Sequence, residues 1–176
     1  MQHRALASQI AAVATRRGAF RLRSGQMSDI YFDKYQFEAR PDLLRTVAAA
    51  LQPLIPGDTE VLAGLELGGV PLATALGLLC GLPIAFVRKA RKEYGTEQIA
   101  EGVSVSGRRV CMIEDVITTG GQVATSARDL RDAGAVINGV LCVIYRGPAQ
   151  PHIADDASLN VRALFMANDL QEEKRA

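Results

Sequence analysis

Residues 110–121 have the sequence Val-Cys-Met-Ile-Glu-Asp-Val-Ile-Thr-Thr-Gly-Gly, and this stretch decides the fold of the chain. Its first four residues are apolar and follow a polar turn, which predicts a short buried strand. Glu114 and Asp115 come next, and Thr118-Thr-Gly-Gly121 then precedes a helix. Apolar residues on one face of that helix recur at helical spacing, and Gly134 is placed to end it. The stretch therefore predicts a strand, an acidic pair, a loop of small residues and a helix N-terminus, in that order.

The loop Thr118–Gly121 is suited to bind an anion, because N–H groups at a helix N-terminus lack partners within the helix. Its glycines let the backbone approach a phosphate without an intervening side chain. Glu114 and Asp115 would repel that phosphate, so we expect them to bind hydroxyl groups or a cation shared with the ligand. A sugar phosphate with free ribose hydroxyls and bound Mg²⁺ meets both requirements. The alternatives are an ordinary strand–helix turn with chance acids, or a Walker A loop, which needs a Lys that is absent here.

The composition restricts the class of protein. The chain has 176 residues, which suits one domain (1–176), and 48% are hydrophobic, as in soluble globular proteins. There are 20 Lys and Arg against 19 Asp and Glu, so the net charge of +1 does not favour nucleic-acid or membrane partners. The N-terminus lacks the apolar core of a signal peptide, so we expect a cytoplasmic protein.

The cysteines Cys80, Cys111 and Cys142 each lie in an apolar run, so we expect reduced core residues and no disulfide framework. No pair of cysteines has zinc spacing and the histidines are few, so we expect no transition-metal site and no metal ligand among the site residues. Residues 70–87 are almost wholly apolar, but Pro and Gly interrupt them. They predict a buried helix, a turn and a buried strand rather than a membrane span.

The remaining elements alternate between helix and strand. Residues 4–17 predict a helix that Gly18 ends, and residues 20–34 predict two short strands around a Ser-Gly turn. After Pro41 come helices and continuous apolar strands, with a polar segment at 88–107 that has no clear periodicity. This order predicts an α/β fold with a mostly parallel sheet flanked by helices (41–166), capped by a small N-terminal hood (1–40). Ligands bind such sheets beyond the carboxyl ends of the strands, where Gly64–Gly69, Arg88–Lys92, Glu114–Gly121 and Arg146 fall.

The central stretch closely resembles the phosphoribosyl pyrophosphate (PRPP) motif of the type I phosphoribosyltransferases. The resemblance implies that Glu114 and Asp115 hold the ribose 2′ and 3′ hydroxyls and that the loop behind them cradles the 5′-phosphate. The positions that match the motif are Glu114, Asp115, Val116, Ile117, Thr118, Thr119, Gly120, Gly121 and Gln122.

The segment Arg88-Lys-Ala-Arg-Lys-Glu-Tyr-Gly95 resembles the catalytic loop of the orotate phosphoribosyltransferases within that family. Arg88, Lys89 and Lys92 match its cationic positions, and Tyr94 stands where many relatives carry His. The resemblance implies that Arg88, Lys89, Lys92 and Asp115 are catalytic and that the loop reaches the neighbour's site in a homodimer. Without the resemblance, this segment could equally be a solvated charged loop or a weak nucleic-acid patch.

Three further segments match the same family. Arg23, Tyr31 and Phe32 take the places of its Lys and of the aromatic pair beside the base, and Arg146, with Thr118, matches the orotate-contacting position. The turn Gly64–Pro71 falls where the family binds pyrophosphate, but Gly68 replaces a Lys of many relatives. We therefore expect main-chain contacts from Gly68 and Gly69. Read alone, these segments are an edge hairpin, a solvated Arg and a simple glycine turn.

The resemblance as a whole implies an orotate phosphoribosyltransferase of UMP biosynthesis, with PRPP and orotate as substrates. It also implies Mg²⁺, bound mainly through PRPP and pyrophosphate. Two alternatives share the central motif: a purine phosphoribosyltransferase, and a PRPP-binding transcription regulator. The first lacks the Arg-Lys-x-x-Lys segment, and the second should carry a DNA-binding module or a basic face.

Overall fold

The computed structural model describes residues 2–21, 25, 27–90, 98–147 and 150–170. The described elements, in chain order, are α1 (Gln2–Ala14), β1 (Thr15–Arg21), β2 (Met27–Phe32), α2 (Tyr35–Glu38), α3 (Pro41–Leu51), a 3₁₀ turn (Gln52–Leu54), β3 (Val61–Leu65), α4 (Gly69–Cys80), β4 (Ile84–Val87), β5 (Ala100–Gly102), β6 (Arg109–Ile117), α5 (Gly121–Asp132), β7 (Val136–Tyr145), β8 (Val161–Met166) and a second 3₁₀ turn (Ala167–Leu170).

The main sheet has six described strands in the order β5-β4-β3-β6-β7-β8, and the two strands of the hood, β1 and β2, form a separate antiparallel sheet. Within the main sheet, β4, β3, β6, β7 and β8 pair in parallel and only β5 runs antiparallel to its neighbour β4. The prediction of a mostly parallel sheet flanked by helices is therefore confirmed. The strand β6 lies between β3 and β7, so the stretch that predicted the fold is central in the sheet.

Helices cover both faces of this sheet, which explains why the central parts of its parallel strands are apolar on both faces. The helix α5 packs on one face through Val123, Ala127 and Leu130, together with Met112 of β6. Residues of α1, α3 and α4 pack on the other face, together with Cys111 and Ile113 of β6. Because both faces are covered, the polar groups that carry chemistry are confined to the ends of the strands.

The hood differs from the prediction at its first boundary. The predicted helix over residues 4–17 is wrong beyond Ala14, because Thr15 already begins β1. Arg16 and Arg17 pair with Tyr31 and Ile30 of β2, so the hairpin begins earlier than the aromatic and β-branched residues alone suggest. The buried side chain of Ala14 fixes this end of the helix, and Asp33 donates a backbone hydrogen bond to its carbonyl at 2.7 Å.

The polar segment 88–107 also contains a strand that the sequence did not predict. Ala100–Gly102 forms β5 and pairs with β4. Its three residues are half-buried or exposed at the edge of the sheet, so they carry no apolar pattern. Arg88 donates its backbone N–H to the carbonyl of Ile99 at 2.9 Å, which holds the two ends of the intervening segment together.

The apolar run at 70–87 divides as predicted into α4, a turn at Gly81 and β4. In the part of the chain that the structure describes, no helix has the length and apolar character that crossing a membrane requires. All three cysteines are free, and Cys111 and Cys142 are buried in β6 and β7, as predicted for reduced core residues. Burial raises the pKa of the Cys111 thiol to about 12 and that of Cys142 well above its ordinary value.

Candidate functional site

Four parallel strands bring the predicted site segments to one edge of the sheet. Glu66–Gly68 follows β3, Arg88 follows β4, Thr118 follows β6 and Arg146 follows β7. Arg146 donates its backbone N–H to Ile117 at 2.8 Å, and Lys89 donates its own to Glu66 Oε2 at 3.0 Å. Neighbouring segments at this edge are therefore linked by hydrogen bonds, as expected if they form one site together.

The loop before α5 has the geometry of an anion site. Gly120 is the N-terminal cap residue of α5 with φ of 80°, and no side chain caps the helix. The positive φ of Gly120 favours glycine at this position, and a Cβ there would also press on the side chain of Ile153, whose Cδ1 atom would lie 2.3 Å away. Thr118 and Thr119 are exposed beside it. The first N–H groups of α5 are thus available for an anion that approaches from the strand edge.

The acidic pair lies inside β6 rather than after it, because the strand continues through Ile117. The Asp115 side chain is fully buried and Glu114 nearly so. Asp115 Oδ1 accepts a hydrogen bond from the backbone N–H of Val116 at 2.5 Å, and Glu114 Oε1 accepts one from the N–H of Asp115 at 3.0 Å. Both carboxyl groups are thereby held against the backbone at the strand end.

Two residues that the sequence did not single out complete this cluster. Lys34, just after β2, places its Nζ atom 2.7 Å from Asp115 Oδ2. Glu38, at the end of α2, is buried, and no described residue donates a hydrogen bond to its Oε1 atom. A helix of four residues has no readable periodicity, so Glu38 could not be told from a solvated acid. The sequence offered one signal for Lys34, its place two residues after the aromatic pair Tyr31-Phe32.

Glu38, Glu114 and Asp115 lie close together with Lys34 as their neighbouring cation, so their pKa values depend on one another. The pKa values of Glu38 and Glu114 are raised to about 9 each. Burial is the largest cause in both cases, and hydrogen bonding with Asp115 is the second. Burial also opposes the charged form of Asp115, but hydrogen bonds with Glu114, Glu38 and Lys34 outweigh it and lower the pKa of Asp115. Burial opposes the charged form of Lys34, but the hydrogen bond to Asp115 together with the negative charges of Asp115 and Glu114 outweighs it and raises the pKa of Lys34. Asp115 is therefore the carboxylate that keeps its charge at neutral pH.

The turn before α4 is shaped around Asp115. A Cβ at Gly68 would lie 1.7 Å from Asp115 Oδ2 and 3.0 Å from Glu38 Oε1. At Gly69 it would lie 2.1 Å from the carbonyl oxygen of Ile113. The peptide bond between Glu66 and Leu67 in this turn is cis. Gly68 and Gly69 are the N-terminal cap and first residue of α4, so their N–H groups are placed for main-chain contacts with a ligand.

The cationic and aromatic positions are only partly described. Arg88 is half-buried and its Nε atom is buried without a described hydrogen-bond partner, while Lys89 is exposed. Lys92, Tyr94 and Arg23 lie outside the described residues.

Tyr31 and Phe32 are consecutive in β2, so their side chains point to opposite faces of the hairpin. Tyr31 is 44% exposed and its ring lies 5.4 Å from that of Phe20, whereas Phe32 packs against the core. Of the pair Tyr31 and Phe32, therefore, Tyr31 is the one whose ring faces outward.

Comparison with known proteins identifies the family. No protein-family profile matches the chain. It is 51% identical over 171 residues to an orotate phosphoribosyltransferase of Nocardioides sp., which covers 97% of this chain and 96% of that protein. The chain belongs to the orotate phosphoribosyltransferase family. A second member of the family, from Halobacterium salinarum, is 41% identical over 160 residues, covering 91% of each chain.

Solved structures of the family have the same fold. The Mycobacterium tuberculosis orotate phosphoribosyltransferase in complex with Fe(III) dicitrate superposes with a TM-score of 0.81 at 29% identity, over 97% of this chain and 99% of that one. The same enzyme in complex with PRPP gives a TM-score of 0.78 at 26% identity, over 97% and 99% of the two chains. An adenine phosphoribosyltransferase of Thermoanaerobacter pseudethanolicus has a TM-score of 0.66 at 15% identity, over 91% and 99% of the two chains, which shows the shared fold alone.

The contact of Gly68 with Asp115 gives a prediction about stability. Gly68→Ala should lower the free energy of unfolding by about 1–3 kcal/mol, because the added methyl group must displace a buried carboxylate or the turn. Gly57→Ala is the matched control, since a Cβ there meets nothing within 4 Å. Urea denaturation of the three proteins measures the difference. Equal destabilisation by both substitutions would contradict the packing that we describe.

Protonation of Glu38 gives a second prediction. Its pKa is about 9 in the folded protein against an ordinary 4.5, so the folded state keeps a proton that the unfolded state loses, and stability falls as pH rises across this interval. Gln cannot titrate, so the melting temperature of Glu38→Gln should rise relative to wild type between pH 5 and about pH 8.5. The expected change is several degrees, since about 1 kcal/mol shifts a domain of this size by roughly 2–4 °C.

Glu60→Gln is the control for that experiment. Glu60 accepts a backbone hydrogen bond from Arg109 and pairs with Arg108 and Arg109, which lowers its pKa. Its contribution is present above the unfolded pKa and is lost only as pH falls, so the difference between this variant and wild type should stay flat between pH 5 and 8.5. The same flat profile for Glu38→Gln would show that Glu38 is ionised in the folded protein.

Proposed function

We propose that this chain transfers the ribose 5-phosphate group from PRPP to orotate, giving orotidine 5′-phosphate and pyrophosphate in de novo pyrimidine (UMP) biosynthesis. The observation that carries the proposal is the buried acidic pair Glu114–Asp115, followed within the same segment by the uncapped N-terminus of α5. One site thus offers acceptors for hydroxyls and donors for a phosphate. Membership of the orotate phosphoribosyltransferase family, a family of pentosyltransferases, supports orotate as the acceptor.

The residues 116–122 bind the 5′-phosphate. The backbone of Val116 and Ile117 leads into the loop, Thr118 and Thr119 offer hydroxyls, and Gly120 and Gly121 bring N–H groups to the phosphate oxygens. Gln122, exposed on the first turn of α5, lies at the rim. Glu114 and Asp115 accept hydrogen bonds from the ribose hydroxyls, and this fixes the sugar relative to the cations on the neighbouring strand.

Cations at the end of β4 stabilise the leaving group. The bond between C1 of the ribose and the pyrophosphate oxygen breaks through an oxocarbenium-like state, and the orotate nitrogen then forms the new bond to C1. Negative charge grows on pyrophosphate as the bond breaks, so preorganised cations lower the barrier. Arg88, whose Nε atom has no described partner, and Lys89 follow β4 directly and are candidates for this role, and the partner subunit's copy of the segment that contains Lys92 and Tyr94 would complete the site.

Orotate is bound between the hood and the end of β7. Arg146 is exposed at the strand end and presents paired donors that suit a carboxylate. Thr118 lies on the adjacent strand end, and Tyr31 and Phe32, with Arg23, contribute from the hood. Of the two aromatic residues, Tyr31 has the exposed ring that a pyrimidine could contact.

Mg²⁺ is the cofactor that this reaction requires by analogy with the family. Mg²⁺ is usually bound through one or two carboxylates together with substrate phosphates, rather than by a complete protein cage. Among the described residues no group of three or more His, Cys, Asp and Glu could hold a metal ion, but hard carboxylate oxygens stand at the ribose position. These residues fit an ion that enters with PRPP and that Glu114 and Asp115 hold indirectly, through the ribose hydroxyls. Bound there, Mg²⁺ would neutralise the charge of the pyrophosphate.

A panel of five bases tests which base accepts the ribose 5-phosphate group. Purified protein is incubated with PRPP, Mg²⁺ and one of orotate, uracil, adenine, hypoxanthine or xanthine, and pyrophosphate release is measured. Orotate should react at least about a hundredfold faster than uracil, which lacks the carboxylate and so leaves site donors unpaired. Turnover of a purine without turnover of orotate would replace the proposal with a purine enzyme. Tight PRPP binding without turnover of any base would favour the regulator.

We also propose a cytoplasmic homodimer whose active sites are shared, with the segment that contains Lys92 serving the partner's Asp115. Mixing Lys92→Ala with Asp115→Asn protein should then restore up to about a quarter of wild-type activity, because half of the subunits pair as hybrids and one of the two sites in each hybrid carries neither substitution. Activity of the mixture is compared with that of each variant alone, after subunit exchange is verified by differential tagging. No gain in exchanged mixtures would mean that each segment serves its own subunit.

A further inference from the structure

The cluster around Asp115 contains two residues that the reaction described above does not use. Lys34 and Glu38 belong to the last part of the hood, the short connection between β2 and α3, yet both side chains end at the acidic pair. Lys34 keeps about a third of its surface exposed, 32%, whereas the carboxylate that it contacts has none. The ammonium group therefore lies at the border between the buried cluster and the open edge of the sheet.

The position of Gly68 shows how closely the carboxyl groups of Asp115 and Glu38 approach each other. The point where its Cβ would lie is 1.7 Å from Asp115 Oδ2 and 3.0 Å from Glu38 Oε1. The two carboxyl oxygens thus approach the same small volume, which the turn leaves free of side chains. Because Lys34 Nζ is 2.7 Å from the same Asp115 oxygen, that oxygen has a cation and an acid as close neighbours.

The remaining contacts of Asp115 leave little freedom. Its other oxygen, Oδ1, accepts the N–H of Val116, and the N–H of Asp115 itself is bound by Glu114. A carboxylate with one oxygen on the backbone and the other against an ammonium group is fixed in its torsion angles and favoured as an anion. Glu38 Oε1 is buried without a described donor, so it is most stable when the carboxyl group carries a proton that it can share with Asp115.

The connection is itself rigidly attached. Phe37, adjacent to Glu38, is completely buried in the core, and Asp33, adjacent to Lys34, is hydrogen-bonded to the end of α1. The backbone at Lys34 and Glu38 is therefore fixed by packing and by hydrogen bonding to the core.

We propose that Lys34 and Glu38 are positioning residues that hold the Asp115 carboxylate in the orientation required to bind a ribose hydroxyl of PRPP. This inference rests on the proposed function, since it assumes that Asp115 contacts the ribose. Lys34 acts as the counterion, and Glu38, whose Oε1 atom converges on the same small volume, acts as a neutral hydrogen-bond donor to the carboxylate. The hood is thereby coupled to the binding of the sugar as well as to the binding of the base.

Two pairs of substitutions test the proposal. Lys34→Gln removes the cation and Lys34→Arg keeps it. Glu38→Leu removes the hydrogen-bond donor to Asp115, whereas Glu38→Gln keeps a donor, the side-chain amide, on a side chain of the same shape. Arg108→Gln and Glu60→Gln are the controls, because they break an ion pair of similar chemistry at the opposite end of β6. The dissociation constant for PRPP with Mg²⁺ is measured by calorimetry, and kcat and the KM for PRPP are measured with orotate.

Lys34→Gln and Glu38→Leu should each weaken PRPP binding about tenfold or more, with KM rising in proportion and kcat changing little, because a ribose contact is made in both ground and transition states. Lys34→Arg and Glu38→Gln should recover most of the affinity, and both controls should match wild type. A general loss of folding would not be rescued selectively in this way. Wild-type affinity in Lys34→Gln and Glu38→Leu, or equal defects within each pair, would overturn the proposal.

Asp115→Asn separates this inference from the proposed function. If Asp115→Asn weakens PRPP binding and the Lys34 and Glu38 variants do not, the support role is wrong and the ribose contact stands. If Asp115→Asn binds PRPP as wild type does, the assignment of the acidic pair fails, and the inference fails with it.

Discussion

A fully buried carboxylate, that of Asp115, is the feature on which the arrangement of the site depends. A charge without solvent is costly unless it is paired and hydrogen-bonded. Lys34 supplies the pairing at 2.7 Å, and Val116 supplies the hydrogen bond. Gly68 supplies the space, since any side chain there would enter the volume that the carboxylate occupies. A charged Asp115 in this position therefore depends on three parts of the fold. They are the connection that carries Lys34, the turn after β3 that carries Gly68, and the central strand β6.

That requirement explains why the hood belongs with the site although its hairpin forms a sheet of its own. An isolated two-stranded hairpin is marginally stable in water. Here it continues directly from α1 and leads into α2, and the buried residues Ala14 and Phe37 anchor it at both ends. The anchoring places Lys34 opposite β6. Substitutions in the hood are thus able to change the electrostatics at Asp115, which we propose as the ribose contact, without touching the substrate.

Much of the architecture was predictable from the sequence because the sheet is covered on both faces. Continuous apolar runs such as Ile84–Val87 and residues 110–113 can only be buried strands or buried helices, and their lengths and flanking turns decide between the two. The order of motifs also predicted which segments share the carboxyl edge. The acidic pair and the helix N-terminus of the site were found in this way, from local pattern alone.

Other features were out of reach because local patterns do not determine them. The end of α1 depends on pairing of Arg16 and Arg17 with β2, and the sequence Ala-Glu-Gly of β5 is too short to show an alternating apolar pattern. Glu38 is an acid in a helix of one turn, and only the fold shows that its carboxyl group faces Asp115. Long-range charge contacts of this kind leave no periodic trace in the sequence.

The cysteines of the sheet have a practical consequence. Cys111 of β6 and Cys142 of β7 are buried on opposite faces of the sheet, and burial holds their thiols in the protonated, unreactive form. Of the native cysteines, only Cys80, at the end of α4, retains accessible surface. Replacing that single residue would give a chain in which a newly introduced surface cysteine is labelled selectively by maleimide dyes. The fold thus provides a background for placing paired fluorophores on the hood and the core, so that their separation could be followed during turnover.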